Sequence, residues 1–262
     1  PLHDGVIADF DAAEAMLKHY IREVHEFYRG FGFKIPRPRV AIGIPSGVTE
    51  VERRAVHEAA LSAGARAAFL IEEPMAAAIG AGLPVDKAEG QMIIDIGGGT
   101  SEIGVISLSG LVLNKSLRVS GDELTEAVVN FAISKYSLLL GESTAEEVKI
   151  AVGSAYPLKR EKEGQPLQVV VRGRSLETGL PKSLKFTSIE VREALMPVIH
   201  QILSELTLII EETPPEIVAD ILEISRSINA DTFIIYSLTD NAKNGDRFGK
   251  EEYVCLRQKG AD

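Results

Sequence analysis

The chain has 262 residues, of which 45% are apolar, enough for one large domain or two lobes around a sizeable core. Its formal net charge is −10, with basic residues scattered rather than clustered, which argues against nucleic acid as a main partner. The single cysteine, Cys255, excludes an internal disulfide and a cysteine-based zinc site. Without a signal peptide or an apolar run of about 18 residues, the chain reads as cytoplasmic and not membrane-spanning. It opens on Pro1 rather than Met, so a fragment or a processed form is expected.

Residues 11–29 form the first predicted helix. Met16, Leu17, Tyr20, Ile21, Val24, Phe27 and Tyr28 recur on one face, Asp11 and Glu14 resemble a capping box, and Gly30 supplies the stop. His3, His19 and His25 lie in this region, but His19 and His25 do not share a helix face, which speaks against a metal site. The loop that follows carries Phe31, Phe33 and Ile35 between Lys34, Arg37 and Arg39. It is either a set of buried loop aromatics or an apolar tip that enters an anionic membrane surface.

Arg39–Ile44 reads as a strand, Thr49 and Glu52 cap a helix running to Gly64, and Ala67–Ile71 is a second strand. Pro74 opens a short alanine-rich helix through Ala81. Alternating strand and helix predicts an α/β layer with a mainly parallel sheet. Glu72 and Glu73 fall at the carboxyl end of a strand, where ligands gather in such sheets and a carboxylate can orient an attacking water. The alternative is a carboxylate that merely complements a helix dipole.

The segment 91–104 is the most telling. An apolar run ends in Asp95, three glycines (Gly97, Gly98 and Gly99) and Thr100, then a second alternating run begins. This reads as strand, tight turn, strand. Bare glycine amides admit an anionic group that any Cβ would block, and Asp95 is placed to hold a metal–water cluster beside it. A glycine hairpin that binds nothing is the competing reading, although an ordinary hairpin turn needs only two residues of the Asn-Gly kind.

Leu111–Val119 predicts a third strand closing a meander. A helix is expected from Glu123 to about Leu139, and another, capped by Thr144 and Glu147, runs through Ala151. Residues 167–186 alternate as strands about Thr178-Gly179-Leu180-Pro181. The long apolar helix Ser188–Glu212 is expected to kink at Pro197, and a shorter helix runs from Thr213-Pro214-Pro215 to about Glu223. From Ile224 the composition shifts to Asn, Asp and Ser; residues 232–238 could form a strand, and the remainder reads as a solvated tail.

The ordered set EEPMAAAIG, DIGGGT, IPSGVTEVERRAV, SGDELTEAVV, GESTAEEVKI, STGLPKSL and TPPEIVADI resembles the MreB family of bacterial actin-like rod-shape-determining proteins. The resemblance covers residues 1 to about 223. FtsA, heat-shock chaperones and sugar kinases share the fold but not this full set. It implies an α/β actin-like, ribonuclease-H-like two-lobed ATPase fold, incomplete in this chain. The implied function is an ATP-dependent filament former that determines cell shape by organising cell-wall synthesis. ATP and Mg2+ are the implied cofactors. The implied partners are further copies of the chain, the cell-wall elongation machinery and the inner face of the cytoplasmic membrane, but no nucleic acid. Localisation would be cytoplasmic and peripheral to that membrane.

Residue by residue, the family's second phosphate loop falls on Asp95, Gly97, Gly98, Gly99 and Thr100, with Asp95 holding the metal through water. Its segment beside the adenosine falls on Glu146, Glu147, Val148 and Lys149, and its hydrolytic glutamate and threonine fall on Glu73 and Thr100. Its membrane loop falls on Phe31, Phe33 and Ile35. The implied division is 1–90 for part of the first lobe (actin-like subdomain IA), 91–126 with 187–223 for the second lobe (IIA), 127–186 for a small inserted subdomain (IIB), and 224–262 for a divergent tail. The family's first phosphate loop and its glycine-rich adenine loop have no match, so two of four nucleotide segments are expected and ATP binding is expected to be weak or absent. A non-hydrolysing assembly or membrane-binding remnant is the alternative expectation.

Overall fold

The computed structural model describes residues 2–3, 6–27, 38–158, 161, 163–227, 233–237 and 252–256. Two short antiparallel strands, β1 (Leu2–His3) and β2 (Val6–Ile7), precede helix α1 (Phe10–Phe27). The helix starts earlier than the Asp11–Glu14 pattern suggests, because the Asp9 carboxylate accepts the Ala12 amide at 3.0 Å and so performs the cap. Gly30 and the apolar loop residues Phe31, Phe33 and Ile35 lie outside the described residues.

Strand β3 (Arg39–Ile44) pairs in parallel with β4 (Ala67–Glu72), and α2 (Glu50–Ser62) makes the crossover between them. Thr49 and Glu52 close the predicted capping box on α2, each side chain bonding the other's backbone amide. Helix α3 (Glu73–Gly80) leaves β4 directly, with Pro74 in its first turn. A larger sheet then begins with β5 (Gln91–Ile96), β6 (Ser101–Ser107) and β7 (Gly110–Leu117), an antiparallel meander as predicted.

Helix α4 (Gly121–Tyr136) ends sooner than predicted, since Ser137 adopts the left-handed conformation (φ 49°) and breaks it. The strand β8 (Leu138–Leu139) then pairs with β9 (Gln168–Ser175), and β9 pairs with β10 (Pro181–Thr187). That pairing also corrects the start of α5 (Glu142–Val152): with β8 ending at Leu139, Gly141 becomes the N-cap and Thr144 sits inside the helix. Helix α6 (Ser188–Glu212) runs through Pro197 as one element, and α7 (Pro215–Ser227) follows.

The strand expected at residues 232–238 is present, and a second strand beyond it departs from the expected solvated tail. Strand β11 (Phe233–Ser237) lies parallel to β5, with Tyr236 opposite Asp95, and β12 (Glu252–Leu256) pairs antiparallel to β11. The large sheet has the order β12-β11-β5-β6-β7. The free edge of β5 accepts a strand wherever β-branched and aromatic residues can supply one, and the run from Phe233 to Tyr236 does so. The β3–β4 pair is parallel, as the strand-helix-strand alternation predicts, whereas the larger sheet is mostly antiparallel; among the described residues, parallel pairing also joins β11 to β5.

Two apolar clusters meet along α6. Val191 and Leu195 enter one with Val128, Leu138, Val148, Val171 and Phe186, while Leu206 and Ile209 enter the other with Ile94, Ile103 and Val105. By length and composition α6 is apolar enough to cross a membrane. On it Val191, Leu195, Ile202, Leu206 and Ile209 are buried, while Ile189 and Leu208 are exposed. A third cluster (Ala78, Ile93 and Ile106) seats α3 on the sheet. There Gly104 matters: a Cβ on it would lie 2.6 Å from the Pro74 Cβ, so glycine lets the first turn of α3 lie against β6.

Phe186 is fully buried, stacked on Tyr136 at 5.4 Å between ring centroids and edge-on to Phe131 at 5.6 Å. Replacing it with alanine removes the centre of the first cluster. Phe186→Ala is expected to cost about 3–5 kcal/mol, read as a shifted urea midpoint with an unchanged slope.

Candidate functional site

The turn between β5 and β6 is held from behind. Gly97 donates its amide to the Thr100 carbonyl at 2.8 Å, closing the hairpin. The Gly97 carbonyl accepts from the Gly121 amide at 3.0 Å, and the Gly98 carbonyl accepts from the Asp122 amide at 2.9 Å. The Ser120 hydroxyl also donates to the Gly98 carbonyl. The start of α4 therefore uses its orphan amides on the carbonyls of the turn.

Trans peptide planarity gives this a consequence. In each peptide unit the C=O and N–H point opposite ways. With two successive carbonyls drawn onto α4, the amides of Gly98 and Gly99 are turned away from it. Among the described residues none accepts a hydrogen bond from the amides of Gly98, Gly99 or Thr100. Of the three glycines, Gly97 spends its amide inside the hairpin, so the free donors shift by one residue from the run Gly97–Gly99. Gly98 is exposed, and Thr100 is buried at 9% exposure. A short, donor-rich concavity of this kind suits an anion.

Carboxylates line the same end of the sheet. Asp95, Glu102 and Ser116 are directly opposite one another on β5, β6 and β7, and so share a face. Burial, then the neighbouring Glu102 charge, raises the Asp95 carboxyl to about 6. Burial, then Glu102 and Asp95, raises Glu73 to about 7. Glu73 is brought here because β4 ends at Glu72 and Gly43 on β3 leaves room for it; a Cβ at Gly43 would lie 3.3 Å from the Glu73 Cγ. Its neighbour Glu72 instead turns to Arg53 at 3.6 Å.

On the other side of the turn lies Lys149. Its Nζ donates to the Gly121 carbonyl at 2.9 Å and to the Thr125 hydroxyl at 3.0 Å, and pairs with Glu146 at 2.6 Å. The Thr125 hydroxyl also bonds Glu146. Glu146 and Lys149 thus join the hairpin through the first turn of α4. Glu147 points out to solvent, and Val148 is 2% exposed in the first core cluster, so its side chain serves packing.

Sequence reasoning missed Ser46, Glu102, Ser116, Ser120 and Gly121. Two of them leave a trace. Ser120 with Glu123 is a capping-box pattern, and the structure forms that box. Glu102 is a charge within an apolar alternating run, a warning of a buried carboxylate with partners.

The family profile described as MreB/Mbl protein matches residues 1–229. The chain belongs to the MreB/Mbl family. It is 49% identical over 223 residues to the cell shape-determining protein MreB of Escherichia coli (strain K12), covering 85% of this chain and 62% of that protein. It therefore spans about three fifths of the length of such relatives. Among solved structures, MreB5 of Spiroplasma citri bound to ADP superposes with a TM-score of 0.77 at 34% identity, covering 87% of this chain and 64% of that one. The MamK double helical filament gives a TM-score of 0.66 at 20% identity, covering 85% of this chain and 65% of that one, and shows the shared fold. The fold is accordingly the actin-like α/β fold of MreB proteins.

Two outcomes follow from this geometry. Glu73 and Asp95 bind protons more tightly folded than unfolded, so between about pH 4 and 7 the native state holds the extra protons. Their contribution to stability is full below the unfolded values and is lost as pH rises through about 6 and 7. Urea titrations across that window should show falling stability, and Glu73→Gln should flatten the fall. In Gly121→Ala the new Cβ would meet the Gly97 carbonyl oxygen at 3.0 Å. Amide NMR should then show displaced Gly98 and Gly99 signals in a chain that remains folded.

Proposed function

We propose that this chain forms the terminal-phosphate side of an ATP site in an actin-like cytoskeletal protein of the MreB type. The observation that carries the reading is the set of free amides at Gly98, Gly99 and Thr100 beside two carboxyls whose proton affinity is raised. The related MreB5 has been solved bound to ADP and to AMPPNP, which supports a nucleotide as the ligand.

The amides would receive terminal phosphate oxygens, while Glu146 and Lys149 would flank the nucleoside. Among the described residues no three His, Cys, Asp or Glu side chains converge on a possible metal position. The residues present fit an ion bound mainly through phosphate and water, with Asp95 holding one of those waters. Magnesium, when bound with nucleotide, would supply neutralisation of phosphate charge. Glu73 and Thr100 would position the attacking water, and the Glu73 carboxylate would take up its proton. An acid whose pKa lies near 7 is matched to that task at neutral pH.

The same reading assigns residues 1–90 to the first lobe, 91–126 and 187–223 to the second, 127–186 to the inserted subdomain and 224–262 to a tail. The two clusters strung along α6 support separate cores for the insertion and the second lobe. Self-association into protofilaments is the proposed assembly, supported by the filament architecture of MamK. Control of cell shape with the cell-wall elongation machinery, at the cytoplasmic face of the membrane, is the proposed setting. Phe31, Phe33 and Ile35 are the proposed membrane contact.

Calorimetry with magnesium and ATP tests the site, and phosphate release tests the chemistry. Glu73→Gln should bind nucleotide with near-native affinity while turnover falls by roughly 10²–10⁴-fold. Native turnover should rise with pH through about 7 as Glu73 loses its proton. Because two of the four nucleotide segments have no match in this chain, its affinity is expected to be weak; Gly98, Gly99 and Thr100 amide NMR signals that stay unmoved at high magnesium–ATP concentration would sink the proposal.

A further inference from the structure

Glu102 is 1% exposed, yet none of the roles above uses it. Serines satisfy its carboxylate from two directions. One oxygen accepts from the Ser46 amide at 3.1 Å and the Ser46 hydroxyl at 2.5 Å, and the other accepts from the Ser116 hydroxyl at 2.5 Å. Ser116 lies beside Glu102 on β7, but Ser46 comes from the turn after β3, in the other sheet. Close packing supports the contact, since a Cβ on Gly47 would lie 3.2 Å from the Ser116 Cβ.

We propose that Glu102 is a positioning residue, a pin that fastens the end of the β3–β4 pair to the phosphate hairpin and so fixes Glu73 relative to Thr100. The chain of contacts is short. Ser46 stands just past the end of β3, Ile44 on β3 is paired with Glu72 on β4, and Glu73 is the next residue. Glu102, in turn, lies on β6 two residues beyond Thr100. Holding Ser46 against Glu102 therefore holds the two ends of the hydrolytic pair from opposite sides. A carboxylate suits this task because each oxygen can accept more than one donor, and charge-assisted bonds are stronger than neutral ones.

This inference rests on the proposed ATP site, and two separate measurements keep their failures apart. The first needs no nucleotide. The Ser46 amide is itself a donor to the pin, so its hydrogen exchange reports the pin directly. In the nucleotide-free chain, Ser116→Ala and Glu102→Ala should each speed Ser46 exchange at least tenfold, with global stability monitored alongside. Unchanged Ser46 exchange in both variants would overturn the pin, whatever the chain does with ATP.

The second measurement is turnover against nucleotide affinity. The double variant Ser46→Ala/Ser116→Ala should lose turnover by roughly 100-fold while the nucleotide dissociation constant stays within about threefold, because the amides of Gly98–Thr100 do not touch Glu102. Ser46→Thr alone, which keeps the hydroxyl, should leave turnover within about threefold of native. Equal loss of affinity and turnover would show that the serines merely hold the fold, and undiminished turnover would show that Glu73 needs no pin; either result overturns the positioning role. If the unaltered chain binds no ATP, the proposed site fails, and Ser46 exchange still decides whether the pin exists.

Discussion

The arrangement at this site depends on two carbonyls. Those of Gly97 and Gly98 are held by the first amides of α4, and everything useful about the turn follows from that capture. A glycine hairpin alone has many conformations, since glycine loses more freedom on ordering than any other residue. Here the helix end fixes the peptide planes, and the donor side of each plane is thereby turned outward. The helix gains as well: its leading amides, which would otherwise lack partners, are satisfied by backbone rather than by water.

The same economy of contacts brings the acidic residues together. Gly104 lets Pro74 approach β6, and Gly43 leaves space for Glu73, so α3 can begin close to the end of β5. The cost is electrostatic. Burial and mutual repulsion push protons onto Glu73 and Asp95, while Glu102 is placed among serine donors. Buried carboxyls that raise one another's proton affinity make an arrangement that favours a positively charged visitor. In the MreB/Mbl setting that visitor would arrive with a nucleotide.

Stability is organised separately from the site. The aromatic group of Phe131, Tyr136 and Phe186 anchors the β9–β10 hairpin to α4. Beside it, Glu190 caps α6 through Thr187 and also accepts from Lys135 and Tyr136. Those hydrogen bonds outweigh its burial and hold the Glu190 carboxyl down at about 2. The helix α6 passes from this core to that of the large sheet, so one element couples the two.

Much of this was legible in the chain itself. Period-2 and period-3.6 patterns placed β3 to β7 and most helices. The Thr49–Glu52 box fixed the start of α2, and the sequence from Asp95 to Thr100 marked the tight turn between β5 and β6. Family motifs pointed to Glu73. What the sequence could not show were properties of pairing in space. The end of α4 and the start of α5 moved because β8 pairs with β9, a contact between distant residues. The tail strand β11 exists because β5 offers an edge. Val148 reads as part of a ligand segment until its neighbours place it in the core. Local chemistry determined where a glycine turn follows a carboxylate; the packing of α4 against the turn decided which of its amides face outward, because only a neighbour's donors can choose the direction of a glycine peptide.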